Sequence, residues 1–351
     1  MNILEIGIVF SRGRGIDCFE KALQEGWQAP SEVEIKGKKS FAYQVDPQTI
    51  ADKTLLKKMR RSDKLSRMAV LAAADALNNR GIELTGKKIG IITATAFGAH
   101  ATTFDFLNDI LDYGEANVSP TTFSNSVHNA AASYVSSVLN IQGPTLTVTQ
   151  FFFSFHSALQ LAQAWLDERR CDYILVGAVE QYGDVLGYIY DSKLTQAPDG
   201  RIKPFNFNPA YNVPGEGAVF FLVSKEDSEN VFCNIEDVIF GDNINNERAD
   251  LNIIDTDGML SEESVYKSSV SSDIPTAAYS PLFGSMMVGS AFNCAAGALM
   301  LKKQLCYANP VIDNPHGINI RHKAVRPDIE FIRCIRYNCF NEKAAIRLRR
   351  I

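Results

Sequence analysis

The amino-acid sequence predicts a layered α/β protein with a largely parallel sheet. Three observations carry that expectation: short β-branched runs recur along the chain, amphipathic stretches separate them, and those stretches are long enough to form crossover helices between parallel strands. The chain has 351 residues, 46% of them hydrophobic. That is enough for two fused domains, or one large one, with roughly three quarters of the unfolded surface buried on folding.

The elements follow in chain order. The opening run, residues 1–15, is apolar but is interrupted by Glu5, and no basic residue precedes it, so it does not fit a secretory signal. Leu65 to Asn78 places Leu65, Met68, Ala69, Ala72 and Ala76 on one helical face. Lys87 to Thr93 reads as a buried strand, Ser126 to Leu139 as a helix, Thr145 to Thr149 as an alternating strand and Ser157 to Asp167 as a helix. Asp172 to Val176, Ala218 to Val223 and Ala344 to Leu348 complete the strands. The stretch 241–283 is rich in Asn, Asp and Ser; it reads as loop or partly ordered surface, with a partner-contact role as the lesser alternative. No internal repeat is visible in residue identity.

Charge and composition exclude several classes of function. Lys plus Arg total 35 against 40 for Asp plus Glu, a formal net charge of −5, and the pI is near 5.6. A general nucleic-acid-binding surface is not expected on such a chain. No apolar run approaches the roughly 18 residues of a membrane span. The 7 cysteines are odd in number and irregularly spaced, which predicts reduced thiols in a cytoplasmic protein. His100, His128, His316 and His322 are scattered singly, so neither a metal site nor any other cofactor is expected. Gly13-Arg14-Gly15 lacks the strand and helix context of a phosphate loop and reads as a surface turn.

Several motifs in a fixed order then resemble the β-ketoacyl synthases of fatty acid and polyketide synthesis. Arg60 to Arg67 is similar to that family's arginine-rich helix start, and Gly90 to Gly98 to its glycine-rich strand and loop. Gly143 to Val148 is similar to the run before the nucleophile, and Val176 to Glu180 to the family's AGGVE. Lys203-Pro204-Phe205-Asn206 and Gly215-Glu216-Gly217-Ala218 resemble its RPFD and GEGA. The match spans roughly 60–225, thins, and recovers at Asn293 to Ala298 and in the last strand. The resemblance implies a thiolase-like layered fold with two related α/β halves, residues 1–225 and a shortened 226–351.

The same resemblance implies a loss of chemistry. The family attacks an acyl thioester with a cysteine on a strand-to-helix turn and uses two histidines to stabilise charge. Counting without a gap from Gly143-Pro144 puts Phe152 at the cysteine, and a phenyl ring has neither a lone pair for attack nor a proton to lose. Asp257 falls at the first histidine, Ala291 at the second and Met286 at a nearby lysine. Asn338 to Asn341 replaces the family's glycine-rich gating loop. The chain thus resembles the non-catalytic partner of an active ketosynthase, the chain-length factor of bacterial type II polyketide synthases. Such partners serve both aromatic and aryl-polyene systems. They often carry Gln at the cysteine position, whereas here Gln150 lies two residues earlier.

That resemblance implies a heterodimer with a catalytic ketosynthase, which would itself provide most of the contact with an acyl carrier protein. The strand Thr145 to Thr149, with Thr145, Thr147, Val148 and Thr149 as interface residues, is the expected pairing edge. Phe123, Val127, His128 and Tyr134 are candidates for the wall of a product tunnel, drawn from the approach loop 119–125 and the helix 126–139, with ordinary interface packing as the alternative. Phe151-Phe152-Phe153 reads as a plug in a closed site more readily than as a platform for a chain. An autonomous enzyme would need a relocated nucleophile. Cys294 and Ser154 are the candidates, although Ser154 and His156 point to different faces of a helix and do not suggest a dyad. A thiolase-fold scaffold unrelated to polyketides is a third alternative.

Overall fold

Residues 173–180 (YILVGAVE) and 217–224 (GAVFFLVS) carry no charge before Glu180. They form strands buried along their whole length, β7 (Tyr173–Glu180) and β8 (Gly217–Ser224). The computed structural model describes residues 1–35, 37–78, 84–226, 231–242, 244, 248–260, 266 and 273–351. Before β7 come β1 (Asn2–Phe10), β2 (Gly13–Arg14), α1 (Ile16–Glu25), β3 (Ser31–Ile35), β4 (Lys38–Ala42), α2 (Lys53–Lys58), α3 (Lys64–Leu77) and β5 (Ile89–Thr95). Then follow α4 (His100–Tyr113), α5 (Pro120–Asn125), α6 (Ala130–Leu139), β6 (Thr145–Thr149) and α7 (Ser154–Asp167). The helix α8 (Asp184–Lys193) joins β7 to β8. The remainder is β9 (Cys233–Phe240), β10 (Leu251–Ile254), β11 (Thr276–Ala277), α9 (Gly289–Lys303), β12 (Phe331–Tyr337) and β13 (Lys343–Arg349).

One large sheet runs in the order β11-β10-β12-β13-β9-β1-β8-β7-β5-β6, with β2 paired to β1. Its two sides have the same topology. From the centre outward the first side places its first, fifth, fourth, second and third strands (β1, β8, β7, β5, β6), and the other side does the same (β9, β13, β12, β10, β11). Directions match as well: in each half the two pairings nearest the centre are antiparallel and the outer two parallel. This is a thiolase-like layered fold of two related α/β halves. The expected largely parallel sheet is therefore corrected to a mixed one, because each half folds its last strand back beside its first. The second half is the shorter: β12 and β13 are joined by a tight turn where the first half inserts α8.

Helices cover both faces. α3 lies so close to β1 that a Cβ on Gly7 would sit 1.9 Å from the Ala72 carbonyl oxygen. Only hydrogen fits there. α9 is buried from Gly289 to Leu301 with only Ser290 and Asn293 polar in that stretch, a composition suited to a helix enclosed by the core.

Two sequence expectations need correction. The stretch 241–283 is not surface: Leu251 to Asp257 and Pro275 to Phe283 are buried, and β10 pairs with β12 and β11. Its polar residues misled because their partners are remote in sequence; Asn252, for one, accepts from Arg333 Nε at 2.9 Å. Residues 243, 245–247, 261–265 and 267–272 of that stretch lie outside the described residues. The second correction concerns 126–139, where the helix begins only at Ala130. The supposed approach loop is itself helical: Ser119 Oγ accepts from the Thr122 amide at 3.3 Å and Pro120 takes the first helical position, a standard start signal.

Candidate functional site

β6 ends at Thr149, and residues 151–153 turn directly into α7. The three phenylalanines of that turn part company. Phe153 is buried, edge-on to His156 and Phe240, each at 5.8 Å. Phe151 is 56% exposed, with its ring 5.4 Å from that of Phe97. Phe152 stands between, half-buried. The expectation of a single plug therefore fits Phe153 and fails for Phe151.

Behind Phe152 lies a charged cluster that the sequence did not suggest. The Arg336 guanidinium, fully buried on β12, sits 5.6 Å from the Phe152 ring centroid. Its Nη1 donates to Asp255 Oδ2 and lies 3.7 Å from Asp257 Oδ2. Nη2 is 4.0 Å from Met287 Sδ. Ser290 Oγ donates to Asp255 Oδ2 at 3.3 Å, and the Met259 amide donates to Asp257 Oδ1 at 3.1 Å. Four separate segments thus meet at one guanidinium: the turn after β6, the loop after β10, the start of α9, and β12.

The electrostatics follow from burial. Desolvation pushes both carboxyls up while Arg336 pulls them down; Asp257, also facing the Asp255 charge, ends at about 7. Burial works against the Arg336 cation, but the Asp255 and Asp257 charges hold it above its ordinary value. Burial and the neighbouring Arg336 push His156 down to about 3, so its ring is neutral.

This arrangement provides no nucleophile. Asp257 is in the cluster; Ala291 and Met286 are buried beside it in sequence, next to Ser290 and Met287, which touch it. Burial pushes the Cys294 thiol well above its ordinary value, so it offers no thiolate. Ser154 Oγ and both His156 nitrogens are buried without a hydrogen-bond partner, so the two do not form a dyad. Among the described residues no three His, Cys, Asp or Glu side chains converge on a metal position, and no helix is long and apolar enough to cross a membrane.

Residues 3–228 match the family "Beta-ketoacyl synthase, N-terminal domain". The chain belongs to the β-ketoacyl synthase family. Like other ketosynthase-family chains it shares its fold with solved structures over its full length. The ishigamide ketosynthase/chain length factor superposes with TM-score 0.82 at 14% identity, covering 100% of this chain and 98% of the other. A type II polyketide synthase acyl-carrier protein in complex with its ketosynthase bound to the hexaketide, AntDE:AntF, gives 0.82 at 16% identity, covering 100% and 99%. A β-ketoacyl synthase from Burkholderia phymatum STM815 gives 0.79 at 15%, covering 100% and 99%.

On this ketosynthase-family chain the remaining candidate residues differ in exposure. Among the described residues β6 pairs with β5 alone, which leaves its other edge open. Thr145, Leu146 and Thr149 are exposed, while Thr147 and Val148 are half-buried. α4 has no buried residue, and Phe104, Leu107 and Leu111 are exposed along one stripe. Phe123 is exposed with its ring 5.4 Å from Phe106, and Val127 is exposed too. His128 is exposed and stacked so closely on Gly98 that a Cβ there would lie 2.0 Å from His128 Nδ1. Tyr134 differs: it is half-buried, and its hydroxyl donates to Asn125 Oδ1 at 3.1 Å. Asn125 in turn donates to the Arg61 carbonyl at 2.6 Å. The α4 stripe was detectable from its i, i+3, i+7 spacing; the contact of Phe97 with Phe151 was not, since residues 54 positions apart have no local signal.

Proposed function

We propose that this chain is a chain-length factor, the non-catalytic subunit that pairs with an active ketosynthase in a type II polyketide synthase and shapes the tunnel that limits product length. The observation that carries the reading is a phenylalanine at the nucleophile position with a buried, doubly paired guanidinium behind it. A ketosynthase-family scaffold is kept while the space for an acyl thioester and its stabilising donors is filled. The partner is the catalytic ketosynthase, docked along Thr145, Thr147, Val148 and Thr149 and across the exposed stripe of α4. Obligate interfaces of this kind bury on the order of 2,000–5,000 Å², and an open strand edge together with an exposed apolar helix stripe favours such a partner.

Carrier-protein contact comes mainly through the ketosynthase, the complex works in the cytoplasm, and no cofactor is required. Phe123, Val127 and His128 line the tunnel, and Tyr134 supports it from behind through Asn125. The two halves divide at 225/226. The test is co-expression with an intact ketosynthase from the same gene cluster. Co-purification as a heterodimer that makes polyketide, with no condensation by this chain alone, is the expected result. A stable monomer that extends an acyl thioester unaided would overturn the proposal.

A further inference from the structure

Loss of a nucleophile asks nothing of Arg336, yet a buried guanidinium is expensive to keep out of water. Arg336 is not simply neutralising one acid. Asp255 and Asp257 both face it, Met287 Sδ lies 4.0 Å from Nη2, and the guanidinium also lies over the ring of Phe152, a cation–π arrangement that gains strength when desolvated. Phe152 is the middle residue of the turn. On one side Phe153 is anchored to His156 and Phe240; on the other Phe151 projects into solvent against Phe97, one residue beyond Gln150 and two beyond the end of β6. Whatever holds Phe152 therefore sets where Phe151 and the end of the open edge stand.

We infer that Arg336 is a positioning residue for the partner-facing surface: by gripping the Phe152 ring it fixes the turn 150–153, and with it Phe151 and the end of β6. The inference rests on the proposed pairing with a ketosynthase for its purpose, though not for its mechanism. The charged and titratable groups around Arg336 are Asp255, Asp257, His156, Tyr190 and Tyr266. Of these Asp257 is the group pushed up to about 7, so removing the cation alone leaves a buried acid that penalises the fold as pH rises.

The test uses the full chain as the neutral variant Arg336→Met/Asp255→Asn/Asp257→Asn, because exchanging a whole buried ion cluster for neutral groups is often tolerated whereas removing one partner is not. Hydrogen exchange is read in this chain alone, and ketosynthase affinity in the co-purified complex. Amides of 145–153 are expected to exchange about tenfold faster while those of β1, β7 and β8 stay protected, and affinity is expected to drop about tenfold. Wild-type exchange in 145–153 together with unchanged affinity would show that Arg336 only balances charge, and would overturn the inference. If the triple variant fails to fold, Phe152→Leu, which leaves every charge in place, must reproduce the local loosening, and unchanged exchange there overturns it equally. Faster exchange at 145–153 in a chain that never binds a ketosynthase leaves the grip on the turn standing and removes the partner reading instead.

Discussion

Replacing Leu146 by Asp separates the partner surface from the fold. Leu146 is 42% exposed on the isolated chain, so an aspartate there stays hydrated, and the stability of the chain alone should move by no more than about 0.5 kcal/mol. Pairing of β6 with a partner strand would remove that exposure. With 42% of it left to cover, the leucine would then contribute about 0.6–1.3 kcal/mol of further burial that the variant loses, and an unpaired carboxylate taken out of water adds several kcal/mol of cost. A combined penalty near 4 kcal/mol raises Kd about a thousandfold. Titration calorimetry against the purified ketosynthase, with thermal melts of the chain as control, measures both quantities. Val148→Asp should dissociate the complex too, but Val148 packs partly on the main core, so that variant should also melt earlier. An unchanged affinity for Leu146→Asp would refute the edge pairing whatever Val148→Asp does.

On the proposed correspondence, with Asp257 and Ala291 at the two histidine positions, Phe152→Cys should not create a condensing enzyme: at about 10²–10³ in rate per lost donor the deficit is roughly 10⁴–10⁶; chain extension by the variant without a partner, followed by mass spectrometry, would contradict this. Phe123→Ala, on the exposed face, should lengthen the product of an intact complex, and His128→Trp should shorten it, whereas Tyr134→Ala should mainly cost stability because its hydroxyl is tied to Asn125. Unchanged product masses in assembled, active complexes of the first two would leave only a stabilising role for the subunit. Glu180, fully buried and accepting from the Ala96 and Phe97 amides, is pushed by burial from 4.5 up to about 7. Its folded value lies above the unfolded one, so its contribution is complete below about pH 4.5 and is lost as pH rises through 7. Urea melts should show stability declining over that window, more gently in Glu180→Gln; equal slopes would show that Glu180 does not titrate there.

Much of the frame was readable from local pattern. Thr145 to Thr149 is the strand it was expected to be, and α3 and α7 begin within three residues of their sequence-derived starts. Apolar periodicity reports these elements because each buries one face or both. The 251–257 stretch escaped for the converse reason: its Asn and Asp residues look solvated until Arg333 and Arg336 are brought to them from about 80 residues away. Arg336 itself sits in FIRCIRY, where arginines spaced three apart suggest solvent-facing positions, yet every residue of that strand is buried. Pairing of buried charges across the sheet depends on register, and register is a property of the assembled halves. The site expectations were drawn from family resemblance alone, so they named positions in the chain and gave no hint of the Arg336 cluster.

The two ends of the long sheet are unequal. One ends in β11, two residues long and already bridged from Thr276 to Ile320; the other ends in the five open residues of β6. A sheet that can be extended at both ends is the start of a fibre, whereas one that can be extended at a single end stops growing after one addition. Two ketosynthase-like chains meeting edge to edge through β6 would bury the longer of the two terminal edges of this sheet. On the proposed pairing, the shortness of β11 would hold the count of subunits at two.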